Sequence, residues 1–292
     1  MPRVSVVVPT YNSVAFIDAT MRSILAQAFT HFELVVSDHS SNDGTWEALQ
    51  HYTADPRVRL SRLAPGGGAP ANWNAVTDLA TGEFLKLVCG DDVLYPDSLA
   101  IQLAALTAHP SAVLAASTRD IIDAAGTPVL RGRGLSRLRG EVTGTEAIRR
   151  TVLAGTNIFG EPASVMFRRA ALVDAGGWDG RFPYLIDLAT YCEVLLHGNL
   201  VAVPHPLAAF RVSHSQWSVQ LMRAQADQTI CFQRELAAVR SGLLSRRHLF
   251  VGSARARMNA LGRRAVYRWL GRRMGSNTAA GSGRHDAGRG GC

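Results

Sequence analysis

The sequence predicts a three-layer α/β domain on a mostly parallel central sheet, with a helical C-terminal segment behind it. Three observations predict this. Strand-length apolar runs without polar alternation, such as Val4-Ser5-Val6-Val7-Val8, mark strands buried on both faces, as in parallel sheets. Helical spacing recurs between those runs, the βαβα rhythm of an α/β domain. Several runs also end abruptly in polar residues, above all at Asp91-Asp92, the strand-end position where α/β sheets hold ligands.

The elements follow in order. Residues 4–8 form a first strand, stopped by Pro9. Val14, Ile17, Met21, Ile24, Leu25 and Ala28 then keep helical spacing, with Asn12 or Ser13 available as N-cap. Residues 32–37 form a second strand ending at Asp38. A helix from about Gly44 and a short strand near 58–60 come next. Gly66-Gly67-Gly68 opens a loop into a helix over 71–79. Residues 84–88 are strand, 97–107 helix and 112–116 strand. Beyond 118 the pattern loosens. Residues 120–139, rich in Gly and Arg, suit a hairpin or a mobile loop; 146–153 read as helix, 163–167 as strand and 188–196 as helix. Residues 200–203 and 207–210 bracket a turn at Pro204-His205-Pro206, and a long helix is expected over 219–239. The tail 275–292, dominated by Gly, Ala, Ser and Arg, is expected to be disordered.

Composition narrows the class. At 292 residues, 47% hydrophobic and 18% charged, the chain can bury a sizeable core, which excludes a disordered protein. No apolar run approaches the ~18 residues needed to span a bilayer. The apolar stretch after Met1-Pro2-Arg3 is too short for a signal peptide. Four scattered cysteines, without metal-finger spacing, read as free thiols in a reducing cytoplasm. The net charge of +8 is uneven: after Glu235 twelve arginines stand against one aspartate, so the first 235 residues sum to −3.

Two adjacent carboxylates at a strand end suggest a hard cation, Mg²⁺ or Mn²⁺, bridging to phosphate oxygens. Their surroundings sharpen this. Val6-Val7-Val8-Pro9-Thr10-Tyr11-Asn12, then Val36-Ser37-Asp38 with Asn42-Asp43-Gly44-Thr45, then Ala80-Thr81-Gly82-Glu83-Phe84-Leu85 leading to Asp91-Asp92, together resemble the family 2 glycosyltransferases over roughly residues 3–215. The resemblance implies a GT-A fold, a nucleotide-sugar donor, an inverting transfer to a saccharide or lipid-linked acceptor, and a divalent metal. It divides the chain into a GT-A domain over 1–218, with a nucleotide-binding half (1–118) and an acceptor-binding half (119–218), a basic helical extension over 219–274, and the tail.

The resemblance also implies site residues. Pro9, Thr10, Tyr11, Asp38 and Asn72 fall at nucleotide-binding positions: Asp38 can accept from a ring N–H of the base, and Tyr11 offers a stacking face. Asn72 on its own is also a helix cap, and Asp43 closes a loop or caps a helix. Asp92 is expected as the direct metal ligand, with Asp91 nearer the sugar and sharing the ion. Cys89 stands where the family's usual form has an aspartate. On the acceptor side Ile186 replaces the first acid of a carboxylate pair, leaving Asp187 as base; the same residue can cap the helix from Leu188. Phe210-Arg211-Val212-Ser213-His214 resembles a later basic motif, implying Arg211 near the diphosphate and His214 as the remaining metal ligand or a structural histidine. Glu161 occupies an acceptor-facing stretch.

Ala254, Met258, Leu261, Ala265 and Trp269 recur at helical spacing with Arg257, Arg264 and Arg268 on one flank. Such a helix packs on the protein's own core or a partner copy, or lies on anionic lipid as a peripheral contact at the inner membrane face. No recognition motif accompanies the arginines, so nucleic acid is not expected. Two other functions are open to these residues. A sugar-nucleotide pyrophosphorylase would need an Arg- and Lys-bearing glycine loop after the first strand, and Pro9-Thr10-Tyr11-Asn12 is not that loop. A degenerate nucleotide-sugar-binding protein would fit Cys89 and Ile186.

Overall fold

A computed structural model describes residues 2–212 and 224–262. His214 and the rest of 213–223, Ala265, Trp269 and the tail lie outside the described residues. The strands are β1 (Val4–Thr10), β2 (Phe32–Asp38), β3 (Val58–Arg62), β4 (Phe84–Leu87), β5 (Val93–Leu94), β6 (Ala112–Ile122), β7 (Pro128–Arg133), β8 (Gly140–Val142), β9 (Val165–Arg168) and β10 (Asn199–Arg211). They form one sheet in the order β3-β2-β1-β4-β9-β6-β10-β5, with β7 on β6 and β8 on β10. The β3-β2-β1-β4 block is parallel and so is β6–β10, while β9 runs antiparallel between β4 and β6.

Strand alternation divides the core. Val4, Val6 and Val8 face one way, against Ile17, Met21 and Ile24 of α1 (Ile17–Leu25) and Leu99, Leu103 and Leu106 of α4 (Ser98–Ala108). Val7, Leu85 and Leu87 face the other way, against Val76 of α3 (Gly68–Asp78), Ala147 and Ile148 of α5 (Gly144–Ala154), Leu172 of α6 (Arg169–Asp174), and Leu188, Tyr191 and Cys192 of α7 (Ile186–Leu195). This is the expected three-layer arrangement, because successive strand side chains point to opposite faces. A lysine is buried in it. Lys86 on β4 donates to Gln102 Oε1 at 2.6 Å, and desolvation pushes its pKa down to about 7.

Three local expectations are corrected. The α1 helix has Phe16 as its N-cap, without a side-chain cap. Asn12 Oδ1 instead accepts from Asn42 N–H at 3.0 Å, and Ser13 N–H donates to Thr45 Oγ1 at 2.8 Å. These two residues tie the β1 loop to the loop before α2 (Thr45–Gln50). The Pro204-His205-Pro206 segment is a bulge within the single strand β10, with register shifts against β6 around Pro206, rather than a turn between two strands. Asn72 is not a cap, since α3 begins at Gly68 after Gly67 in a left-handed conformation.

Of the two alternatives for 120–139, the hairpin is found. The chain turns from β6 to β7 where Asp123 Oδ1 accepts from Ala125 and Thr127 N–H. Two helices close the described chain, Gln225–Val239 and one over 246–262. No helix among the described residues is long and apolar enough to cross a membrane.

Candidate functional site

The C-terminal ends of β1 and β2 build the first part of the site, with Thr10 in register with Asp38 and Pro9 with Ser37. Asp38 is fully buried; its Oδ2 accepts from Ser41 N–H at 3.1 Å and lies 3.3 Å from Arg62 Nε. Asn72 reaches across from α3 and donates through Nδ2 to Thr10 O (3.2 Å) and Ser37 O (3.3 Å). Thr10 Oγ1, Asp38 Oδ1 and Asn72 Oδ1 are buried with no protein partner. An unsatisfied buried polar group costs about 1–3 kcal/mol, so three of them around one strand end ask for donors from a ligand or water. Tyr11 stands exposed beside them, edge-on to His39 at 6.2 Å.

The adjoining loop is held by Asp43. Its Oδ2 accepts from Val14 N–H and its Oδ1 from Thr45 N–H, both at 3.0 Å. One side chain thus closes the loop and ties down the first residue of α2. Desolvation works against its charge, but the Thr45 and Val14 hydrogen bonds outweigh it and hold the carboxyl below its ordinary pKa.

The Asp91-Asp92 turn follows β4 and is fastened to this loop. Gly90 is so close to β1 that a Cβ would lie 2.7 Å from Thr10 Oγ1. Asp92 N–H closes the turn on Cys89 O at 3.1 Å. The Asp92 carboxylate is fully buried; Oδ1 accepts from Arg211 N–H at 3.1 Å, and Oδ2 has no protein partner. Burial and the neighbouring Asp91 charge push its pKa well above the usual carboxylate range. Arg211 clasps the turn: its guanidinium donates to Asp91 O (2.9 Å), Asp123 O (3.2 Å) and Ala124 O (3.1 Å), with Phe16 4.8 Å beneath it.

Asp187 lies in the first turn of α7, whose N-cap is Leu185. The expected capping alternative therefore fails by position, although Asp187 Oδ1 accepts from Leu188 N–H at 2.7 Å. Asn157 Nδ2 donates to Asp187 Oδ2 at 2.8 Å and to Gly160 O at 2.9 Å. Asn157 Oδ1 accepts from Phe159 N–H (2.9 Å) and Gly160 N–H (3.2 Å), which fixes which end of the amide faces Asp187. Glu161 pairs with Arg119, Nε–Oε2 2.5 Å and Nη2–Oε1 2.9 Å. Burial, then the Glu161 charge, pushes the Asp187 carboxyl up to about 7, against the Leu188 and Asn157 hydrogen bonds. Ile186 is buried in the core.

Cys89 joins the two sides electrostatically. Burial raises its thiol pKa well above the ordinary value, and Asp92, Asp91, Asp187 and Glu161, in that order, raise it further. The thiol is therefore protonated and adds no charge among those acids. Tyr191, one turn beyond Asp187, is likewise pushed well above its ordinary value, by burial and then by Asp187 and Glu161, and its buried hydroxyl has no protein partner. Pro9, Thr10, Asp38 and Asn72 are thus linked by register or hydrogen bond, with Tyr11 next to Thr10 in the chain; Asp91, Asp92 and Arg211 are linked by hydrogen bonds, and Asp187 and Glu161 act on the same cysteine as the Asp pair. Sequence reasoning missed Asn157, Arg119 and Tyr191. The first two reach their partners across 30 and 42 residues, and no motif marks them.

No group of three or more His, Cys, Asp or Glu poised for a metal occurs among the described residues. The unpartnered Asp92 Oδ2 beside Asp91 still fits a Mg²⁺- or Mn²⁺-type ion. Such ions bind through one or two carboxylates and take their other ligands from water and substrate phosphates.

Comparison with known proteins identifies the family and the fold. The family model for glycosyl transferase family 2 matches residues 5–175. An uncharacterized protein of Mycobacterium tuberculosis (strain CDC 1551 / Oshkosh), MT1568, is 33% identical over 232 residues, covering 77% of this chain and 72% of the relative. TarS of Staphylococcus aureus (strain Mu50 / ATCC 700699), a poly(ribitol-phosphate) beta-N-acetylglucosaminyltransferase, is 30% identical over 177 residues. That match spans 60% of this chain but only 29% of TarS. The structure of S. aureus TarS with UDP-GlcNAc superposes with a TM-score of 0.67 at 21% identity, covering 85% of this chain and 69% of that one. The mannosyltransferase PcManGT from Pyrobaculum calidifontis, solved with GDP-Man and Mn²⁺, superposes with a TM-score of 0.63 at 19% identity, covering 87% and 69%. At these identities the two structures establish the shared fold.

Proposed function

Since the chain belongs to glycosyl transferase family 2 and has the α/β fold of GT-A glycosyltransferases, we propose that it transfers a sugar from a nucleotide-diphosphate donor to an acceptor hydroxyl with inversion. The acceptor is a saccharide or a lipid-linked saccharide, in polysaccharide or glycoconjugate biosynthesis. TarS, by its name, acts on a poly(ribitol-phosphate), which supports an acceptor of this class. The observation that carries the reading is the strand-end Asp91-Asp92 turn with its buried, unpartnered Asp92 Oδ2, together with a buried Asp187 held by Asn157 and acting electrostatically on the same Cys89.

The residues divide the work. Asp38 Oδ1, Thr10 Oγ1 and Asn72 Oδ1 offer buried acceptors to the base and ribose, and Tyr11 covers the base from the open side. Asp91 and Asp92 would hold the divalent ion, Mg²⁺ or Mn²⁺, and the family motif implies His214 as a further ligand. When bound, the ion would neutralise charge on the diphosphate. Arg211 keeps the turn in place through its backbone contacts and adds positive charge beside it. Asp187 removes the acceptor proton. The acceptor oxygen then forms its bond to the anomeric carbon from the side opposite the diphosphate, and the broken C–O bond leaves its electron pair on the nucleotide. A base with pKa near 7 is matched to this task at neutral pH. Glu161, fixed by Arg119, lines the acceptor side.

Thermal shift with UDP, GDP and their sugars, with and without Mn²⁺, tests the assignment. A nucleotide sugar should raise Tm in a Mn²⁺-dependent way, and Asp92→Asn should lose that dependence. Stabilisation by free nucleotide alone, indifferent to metal, would remove the ion from Asp91-Asp92. A metal-dependent shift without any transfer would instead favour a binding protein, the reading motivated by Cys89 and Ile186.

A further inference from the structure

The helix over 246–262 has two unlike faces, and the sequence pattern marks the outer one. Its inner face is made of small residues. Gly252, Ala256 and Ala260 are buried, and a Cβ on Gly252 would lie 2.5 Å from Val152 O. Gly155, in the left-handed region at φ 63°, approaches so closely that its own Cβ would meet Ala256 N at 2.4 Å. Polar bonds lock the contact: Asn259 Nδ2 donates to Ala154 O (2.9 Å) and Gly155 O (3.2 Å), and Arg255 Nη1 to Leu153 O (3.0 Å). The outer face carries the larger apolar side chains. Phe250 is 79% exposed, Met258 67% and Leu261 65%. At positions i, i+8 and i+11 they share one side of the helix, with Ala254 between them. Exposed Arg246, Arg247 and Arg257 accompany this row.

A docked helix that turns its larger apolar side chains to water, ringed by arginines, is built for a second surface. We propose that this face lies on an anionic lipid bilayer, with Phe250, Met258 and Leu261 inserted at the interface and the arginines against lipid phosphates. The charge selects lipid over a second copy of the chain. Apposing two such faces would bring Arg246, Arg247 and Arg257 of one copy toward those of the other, whereas anionic headgroups complement them. The segment after Glu235, with twelve arginines to one aspartate, extends the same complementarity. The location suits a lipid-linked acceptor, the part of the inference that rests on the proposed function. Gly155, the C-cap of α5, accepts from Asn259, and two residues on, Asn157 holds the Asp187 carboxylate.

Membrane binding is tested apart from catalysis, by flotation of the full chain with phosphatidylcholine vesicles with and without phosphatidylglycerol. The protein should float with the anionic vesicles only, and less as salt is raised. The triple variant Phe250→Ser/Met258→Ser/Leu261→Ser should stay in the bottom fraction with an unchanged thermal melt. Each of Arg246→Gln, Arg247→Gln and Arg257→Gln should weaken binding by about fivefold. Failure of the wild-type chain to float, flotation that survives the triple variant, or a solution dimer that the triple variant splits would each overturn the proposal. None of these results bears on whether sugar is transferred.

Discussion

Asn157 presents its amide N–H₂ to the Asp187 carboxylate at 2.8 Å, and the backbone N–H groups of Phe159 and Gly160 prevent the amide from flipping. Asp187 is therefore oriented by a group that is itself locked. That hydrogen bond favours the ionised carboxylate, while burial and Glu161 oppose it.

Removing the donor should move the titration. In Asn157→Ala the Asp187 pKa rises above about 7, so less of the carboxylate is ionised at neutral pH. The acid limb of the pH–kcat/KM profile should shift to higher pH, with activity at pH 7 down by about 10- to 100-fold and partly regained in alkali. An unshifted limb would mean that Asn157 serves only the fold of its loop.

The same pKa has a consequence for stability. The folded value of about 7 lies above the ordinary aspartate value of 3.8. Between those pH values the native state therefore holds a proton that the unfolded state has lost. This contribution is fully present below pH ~4 and is lost as pH rises through ~7. Its size is on the order of 2 kcal/mol after allowing for solvent screening. Urea unfolding at pH 5 and pH 8 should show a smaller difference in Asp187→Asn than in the wild type.

Gly90 carries no backbone strain, but it has no room for a side chain. Ala at this position would meet Thr10 Oγ1 at 2.7 Å and Ser13 Oγ at 3.1 Å, prising the Asp91-Asp92 turn from the β1 loop. Gly90→Ala should cost about 1–3 kcal/mol and weaken nucleotide affinity, measured by denaturation and by titration with UDP and GDP.

Arg211 offers a test of shape against charge. Its fork bonds three carbonyls across two segments, which a lysine cannot reproduce. Arg211→Lys should keep the charge yet lower Tm and metal-dependent nucleotide binding. If charge alone matters, the variant will match the wild type.

Much of this arrangement was legible in the sequence, and the limits have physical causes. Strands β1, β2 and β4 declare themselves because both of their faces are buried, and their terminal residues fall at the site by topology alone. The antiparallel insertion of β9 and the continuity of β10 through Pro204 and Pro206 depend on partners far away in sequence. Asn12 resembles a cap because the small polar side chains that cap helices also cross-link loops, whereas Ser13 makes its link to Thr45 through its backbone N–H. Asn157 is silent for a related reason, since its role exists only once α7 brings Asp187 to it. The C-terminal helix inverts the usual inference: its hydrophobic stripe faces water, and its buried face is Gly and Ala, which no hydrophobic pattern reveals.

The central claim is that Asp187 performs the proton transfer at a site whose donor is held by other residues. Asp187→Asn, nearly isosteric with the wild type, separates the two roles when donor affinity and transfer rate are measured on the same protein in the presence of Mn²⁺. Donor affinity should stay within about twofold of wild type while kcat falls by about 10²- to 10⁴-fold. Transfer at the wild-type rate, or loss of donor binding together with activity, would contradict the assignment of Asp187 as the base.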